Sequence, residues 1–181
     1  MDSIATQAWD IAFLGIDPAR VHLLRLSEPY MEAGLTYMVA PRSTIRFVTD
    51  ADRSGVRIAV IAKSPSDLFL SRSLKHAELV RSAGGPDGTF AVLASGKADA
   101  FAGSPELLHR YLDKLPGAAI VTGHFTTLAQ AIAVRNDHAA ALVPLGRLLD
   151  EAKRTGVVAQ AIQNAGLRGV TVSPASKRRD P

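Results

Sequence analysis

The chain has 181 residues, 47% of them apolar and 6% aromatic, with a formal net charge of +4 and no cysteine. That length and apolar content suit one large domain or two small ones, and the absence of cysteine excludes disulfides and thiolate metal sites. Lys177, Arg178, Arg179 and Asp180 supply +2 of the charge from the tail, and no basic stripe with interleaved aromatics follows elsewhere, which argues against a nucleic-acid partner. No apolar run approaches the ~20 residues of a membrane span. Met1-Asp2-Ser3 lacks the basic start and the following apolar run of a signal peptide.

Taken in chain order, Ile11 to Leu14 reads as a buried strand. Asp17-Pro18-Ala19-Arg20 then supplies a cap, a proline at the first helical position and a short helix. Leu24 to Leu26 and Leu35 to Val39 read as extended, with Ser27-Glu28-Pro29-Tyr30 turning between them. Pro41-Arg42-Ser43-Thr44 is the expected first crossing between two lobes. Val56 to Ala62 reads as a β-branched buried strand, and Ser64-Pro65-Ser66-Asp67 repeats the cap-and-proline start, with Asp67 near the positive end of a helix that runs to Leu74. Ala77 to Val80 reads as a short strand and Gly84 to Gly88 as a loop, because the glycines lack the G-x-G-x-x-G spacing of a phosphate cradle. A helix over Phe90 to Leu93, a strand over Asp99 to Ala102 and a helix over Pro105 to Leu112 follow. Ala118 to Val121 and Gln130 to Val134 read as strands, and the C-terminal part as helices over about Ala140–Thr155 and Val158–Asn164. The alternation predicts an α/β fold with mainly parallel sheets.

Two stretches repeat. Asp10-Ile11-Ala12-Phe13-Leu14-Gly15 precedes Asp17-Pro18, and Asp99-Ala100-Phe101-Ala102-Gly103 precedes Ser104-Pro105. The copies are about ninety residues apart, which marks two similar lobes and not a short-period solenoid. Three strands therefore end in the same device of small residue, cap, proline and helix, at Gly15–Pro18, Lys63–Pro65 and Gly103–Pro105. In open α/β sheets ligands sit outside the carboxyl ends of strands, where helix starts offer free N–H groups to an anion. Arg20, a cation in a first helical turn, reads either as a partner for a bound carboxylate or as a solvated surface side chain. Ser64 and Ser104 read first as caps, a role compatible with ligand contact; Asp10 and Asp99 read as serving the fold. The five histidines (His22, His76, His109, His124 and His138) form neither H-x-x-x-H nor H-E-x-x-H, so no metal or cofactor is expected, and no G-x-S-x-G elbow is present.

At these residues the chain resembles the bacterial extracellular solute-binding proteins of family 3, the polar amino-acid-binding components of ABC transporters. The resemblance runs through Ala8-Trp9-Asp10-Ile11-Ala12-Phe13, Asp17-Pro18-Ala19-Arg20, Leu26-Ser27-Glu28-Pro29-Tyr30, Val56 to Val60 with Ser64-Pro65, Gly96-Lys97-Ala98-Asp99-Ala100 and Gln130 to Val134. It implies a two-lobed periplasmic binding protein type II fold, with lobe 1 over residues 1–41 and 133–181 and lobe 2 over residues 42–132. It also implies a periplasmic location and a permease partner. It implies a ligand-binding set of Leu14, Gly15 and Arg20 from the first lobe and Ser64, Pro65, Ser66 and Ser104 from the second, with Arg20 on the ligand carboxylate. Two departures follow. Ser104 stands where amino-acid binders place an ammonium-binding aspartate, so a small carboxylate is as well suited as an amino acid. Met1 stands in what would be the second helix, so the first lobe is expected to lack its N-terminal strand and helix; either the sequence starts late, or a homodimer partner completes the lobe. Two alternatives remain at this stage. One is a cyclohexadienyl dehydratase-like lyase on the same fold, with Asp17 or His124 as its general acid; the other is a degenerate fragment that binds nothing.

Overall fold

An unbroken apolar stretch such as Ile58-Ala59-Val60-Ile61 has no polar face to show to water, so it belongs between two layers of helices. The computed structural model, which describes residues 9–16 and 24–174, puts it there. Contacts divide the chain into two units: residues 33–127 form one, and residues 1–32 with 128–181 form the other. The crossings expected near residues 41 and 133 thus fall at 32/33 and 127/128. They lie within strands, since β3 (Met31–Val39) and β8 (Thr126–Arg135) are each continuous through the change of unit.

The continuous unit, residues 33–127, is built on β3, β4 (Arg57–Ile61), β5 (Glu78–Ser82), β6 (Ala100–Gly103) and β7 (Ala119–Ile120). β4 is parallel to both neighbours, with Ile58 opposite Leu79 on β5 and Ala100 on β6. β3 runs antiparallel to β6 and β7, with Met38 opposite Phe101 and Ile120. Period-two alternation sorts the side chains onto two faces. Tyr37, Val39, Ile58, Val60, Ala100 and Ala102 pack on one side with Leu70 of α1 (Pro65–Ser73). Met38 and Phe101 pack on the other with Leu93 of α2 (Gly85–Ala94) and with Leu108 and Tyr111 of α3 (Pro105–Leu112). A fully buried side chain such as Phe101 contributes roughly 2–3 kcal/mol through area removed from water.

The caps read from sequence hold. Ser64 Oγ accepts from Asp67 N at 3.2 Å and Ser104 Oγ accepts from Leu107 N at 3.4 Å, with proline in each first turn. The expected loop over Gly84 to Gly88 is instead the first turn of α2. Pro86 needs no amide partner in a first turn, Asp87 is favoured near the positive end, and Thr89 Oγ1 donates to Gly85 O at 2.7 Å. Asp99 serves the fold as expected: its carboxylate accepts from Arg57 Nε at 3.1 Å and Nη2 at 2.9 Å, and from Arg57 N at 2.8 Å.

The discontinuous unit is antiparallel where it is described, and β3 is antiparallel in the continuous unit, so the sheets are mixed where mainly parallel ones were expected. β8 lies between β1 (Ile11–Gly15) and β2 (Leu24–Leu26), with Phe13 opposite Ile132 and Arg25 opposite Val134. Ser27 Oγ accepts from Ile132 N at 3.0 Å and Tyr30 N donates to Gln130 O at 2.9 Å, which extends the pairing past β2. α4 (Leu142–Arg154) and α5 (Val157–Asn164) follow, parted by Gly156 at φ +82°, a conformation that glycine adopts without penalty. The strand β9 (Val170–Val172) was not foreseen from the sequence, and Ser173 N beyond it donates to Tyr30 O at 3.1 Å. Among the described residues no helix is long and apolar enough to cross a membrane.

Candidate ligand-binding edge

β4 and β6 are parallel neighbours, and each runs directly into a capped helix. Ser64-Pro65 and Ser104-Pro105 therefore emerge at the same carboxyl edge of the continuous unit, with the start of α2 after β5 at the same edge. Both serines are half-buried and Pro65 is exposed, whereas Ser66 is only 3% exposed, tucked under the first turn of α1. Of the predicted set, Ser64, Pro65 and Ser104 thus share one edge. Leu14 and Gly15, both half-buried, close β1 in the other unit, where Ile16 N donates to Ala129 O at 2.9 Å. Arg20 and Asp17 lie outside the described residues.

The turn before α1 is under constraint. Lys63 has φ +61°, the left-handed region that costs an L residue roughly 1–2 kcal/mol. Asp67, 5% exposed, holds it there: its carboxylate accepts from Lys63 N at 2.8 Å, from Arg81 Nε at 2.9 Å and from Ser71 Oγ at 3.1 Å. Arg81 Nη2 also donates to Ser71 Oγ at 2.7 Å, which closes the cluster. The Lys63 side chain is exposed and has no partner among the described residues.

The other carboxylates near this edge are also engaged. Asp87 accepts from Tyr111 Oη at 2.7 Å, and this bond, with burial, holds the Tyr111 phenol above its usual pKa. Glu106 lies 3.5 Å from Arg110 one helical turn along α3. Thr36 on β3 is a residue the sequence did not mark: it is 3% exposed, and its Oγ1 has no hydrogen-bond partner. It stands opposite Gly103, the residue before the Ser104 cap. A Cβ at Gly103 would meet Leu107 Cδ2 at 3.2 Å and Leu108 Cδ2 at 3.3 Å, so the face that Thr36 shares is roofed by the first turn of α3. Nothing but a polar residue inside an apolar strand could have signalled it.

His124, the expected alternative acid, is an exposed residue whose Cβ lies 2.9 Å from where a Cβ on Gly34 would stand. It fills the space that glycine leaves on β3. Among the described residues no three metal-ligating side chains gather.

No family model matches the chain, and no curated protein matches it either. Solved structures do. A mutant of ArgBP from T. maritima matches with a TM-score of 0.69 at 24% identity, over 90% of this chain and 71% of that one. The ancestral amino acid-binding protein AncCDT-1, a precursor of cyclohexadienyl dehydratase, matches with a TM-score of 0.71 at 22% identity, over the same shares. The cysteine-binding protein from Campylobacter jejuni matches with a TM-score of 0.70 at 18% identity, over 92% of this chain and 67% of that one. These likenesses show the fold, the two-lobed α/β fold of periplasmic binding proteins of type II. The motifs that resemble family 3 solute-binding proteins therefore stand on the fold that the resemblance implied.

Proposed function

We propose that the chain is a solute-binding component of an ABC transporter that holds a small carboxylate or amino-acid-like ligand in the periplasm and delivers it to a permease. The observation that carries this reading is the shared carboxyl edge of β4 and β6. Two half-buried cap hydroxyls and two helix starts face one way there, on a fold whose solved examples include amino-acid-binding proteins. Helix starts carry about half a positive charge and free N–H groups, so the edge suits an anionic or acceptor group. On this proposal Leu14, Gly15 and Arg20 contribute from one unit and Ser64, Pro65, Ser66 and Ser104 from the other, with Arg20 paired to the ligand carboxylate.

A thermal-shift screen against amino acids and small organic acids tests it. Ligand at a hundred times its dissociation constant adds about 2.7 kcal/mol. For a chain of this size that raises the midpoint by roughly 5–11 °C. A cooperative melt that no member of either class raises would overturn the proposal. Arg20→Ala should weaken binding by several kcal/mol, because it leaves a ligand charge unpaired. A lyase is the second reading, favoured only by the likeness to a precursor of cyclohexadienyl dehydratase. Turnover of prephenate or arogenate would establish it.

A further inference from the structure

A strand with an unpaired backbone edge is a template for another strand, and β1 is such a strand. β8 pairs with one of its sides, and no strand among the described residues pairs with the other. In an antiparallel pair, alternate residues turn their N–H and C=O toward the neighbour, and the residues between turn theirs away. Ile16 N donates to Ala129 O at 2.9 Å, one step beyond Gly15 opposite Gln130. Leu14 and Ala12 therefore also bond to β8, and Ile11, Phe13 and Gly15 aim their backbone groups at the open side. The side chains offer no protection. Ile11-Ala12-Phe13-Leu14-Gly15 holds no charge and no proline, two devices that keep an edge from pairing. Ile11 is 47% and Phe13 63% exposed, while Val134 and Ile132 opposite them on β8 are 0% and 5% exposed. Both apolar clusters found among the described residues belong to the continuous unit, so the unit that carries β1 has the more to gain from a cover.

We propose that β1 pairs with β1 of a second copy of this chain, antiparallel and centred on Phe13. In this register Phe13 stands opposite Phe13 of the second copy, and Ile11 opposite Gly15. Every outward N–H and C=O of the three residues then meets its complement. The strand matches itself about its middle: aromatic meets aromatic on the exposed face, and glycine leaves room beside isoleucine. The contact is isologous, so it closes at two copies. A five-residue ribbon falls short of the roughly 800 Å² a side of stable dimers, so the pair forms and parts with concentration. It needs no ligand and stands apart from the solute-binding role.

Sedimentation equilibrium of the full chain, from about 1 to 1,000 μM, should show monomer giving way to dimer. Phe13→Lys sets two like charges opposite each other, and Phe13→Pro removes an outward N–H while leaving the bonds to β8. Each should weaken association at least tenfold with a cooperative melt retained. Val143→Lys, at a 63% exposed position on α4 of the same unit, should leave association unchanged. Cross-linking reads the register, because the chain has no cysteine of its own. Opposed Cα atoms in such a pair lie about 5.5 Å apart, within reach of a disulfide, so Phe13→Cys should link two copies on mild oxidation. Ile11→Cys sets its two sulfurs roughly 14 Å apart along the strands and should not. If Phe13→Pro melts without cooperativity, Phe13→Lys and the cysteine pair decide. A parent that stays monomeric throughout, a dimer that Val143→Lys dissociates and the Phe13 variants do not, equal cross-linking from positions 11 and 13, or growth beyond two copies would each overturn the proposal.

Discussion

Replacing Asp67 with alanine isolates the device that sets the turn before α1. The carboxylate is 5% exposed and takes three donors, so its removal leaves the Lys63 N–H without a partner beside a buried gap. Hydrogen bonds to a charged group contribute about 1.5–3 kcal/mol, and the backbone donor carries the larger share because it cannot move to water. The Arg81 side chain is 50% exposed and rehydrates, so its pair with Asp67 adds at most about 1 kcal/mol. The expected loss for Asp67→Ala is therefore about 2–4 kcal/mol, or roughly 5–15 °C in midpoint at 2–4 °C per kcal/mol. Asp67→Asn keeps the shape and one acceptor and should lose about half as much. Urea unfolding at neutral pH measures both. Lys63→Gly, which relaxes the left-handed residue, should be neutral or stabilising and should soften the Asp67→Ala loss in a double-mutant cycle. Values for Asp67→Ala and Asp67→Asn both within 0.5 kcal/mol of the parent would refute the claim that this carboxylate holds the turn.

Three further outcomes follow from the geometry. The hydrogen bond from Arg57 keeps the Asp99 carboxyl below its usual pKa, with backbone and charge contributions adding to it against partial burial. That stability is present above the unfolded carboxylate value near 3.9 and fades as pH falls through the lower folded value, so the gap between the parent and Asp99→Asn should close on acidification in pH-dependent urea melts. Gly34→Ala puts a methyl 2.9 Å from His124 Cβ and should cost about 1–3 kcal/mol by thermal melt, with much of the loss restored by His124→Gly. Ser64→Ala and Ser104→Ala each remove a helix cap and should cost about 1 kcal/mol in chemical denaturation.

Local signals were legible in the sequence and distant ones were not. The Ser-Pro starts of α1 and α3 announce themselves within four residues, and both caps form as read. The two-lobed fold was reached through a succession of short motifs, each carrying its own strand or turn. The glycines from Gly84 to Gly88 misled because composition alone cannot tell a loop from a helix start that needs proline and small residues for close approach. The antiparallel pairing of β1 and β2 on β8 depends on contacts more than a hundred residues apart, for which no local pattern exists. The Asp52 carboxylate, which ties down the amides of Lys75, His76 and Ala77, was equally invisible, since its partners are 23 to 25 residues away. At the candidate site the cap serines were legible, but the engagement of Asp67 and the isolation of Thr36 emerge only once the sheet and α3 are in place.

The order of the chain has a consequence for how the molecule is made. Residues 33–127 are an uninterrupted stretch that falls in the sequence between the two segments of the other unit. Its two ends meet, because Phe125 N donates to Leu35 O at 2.9 Å. Closing a floppy loop of about that length costs roughly 4 kcal/mol of chain entropy. Once folded, the insert brings its own ends together, and in the chain order of the other unit it stands where a turn would. Synthesis from the N-terminus completes residues 33–127 before the end of β8, so the insert is the first of the two units whose chain is whole.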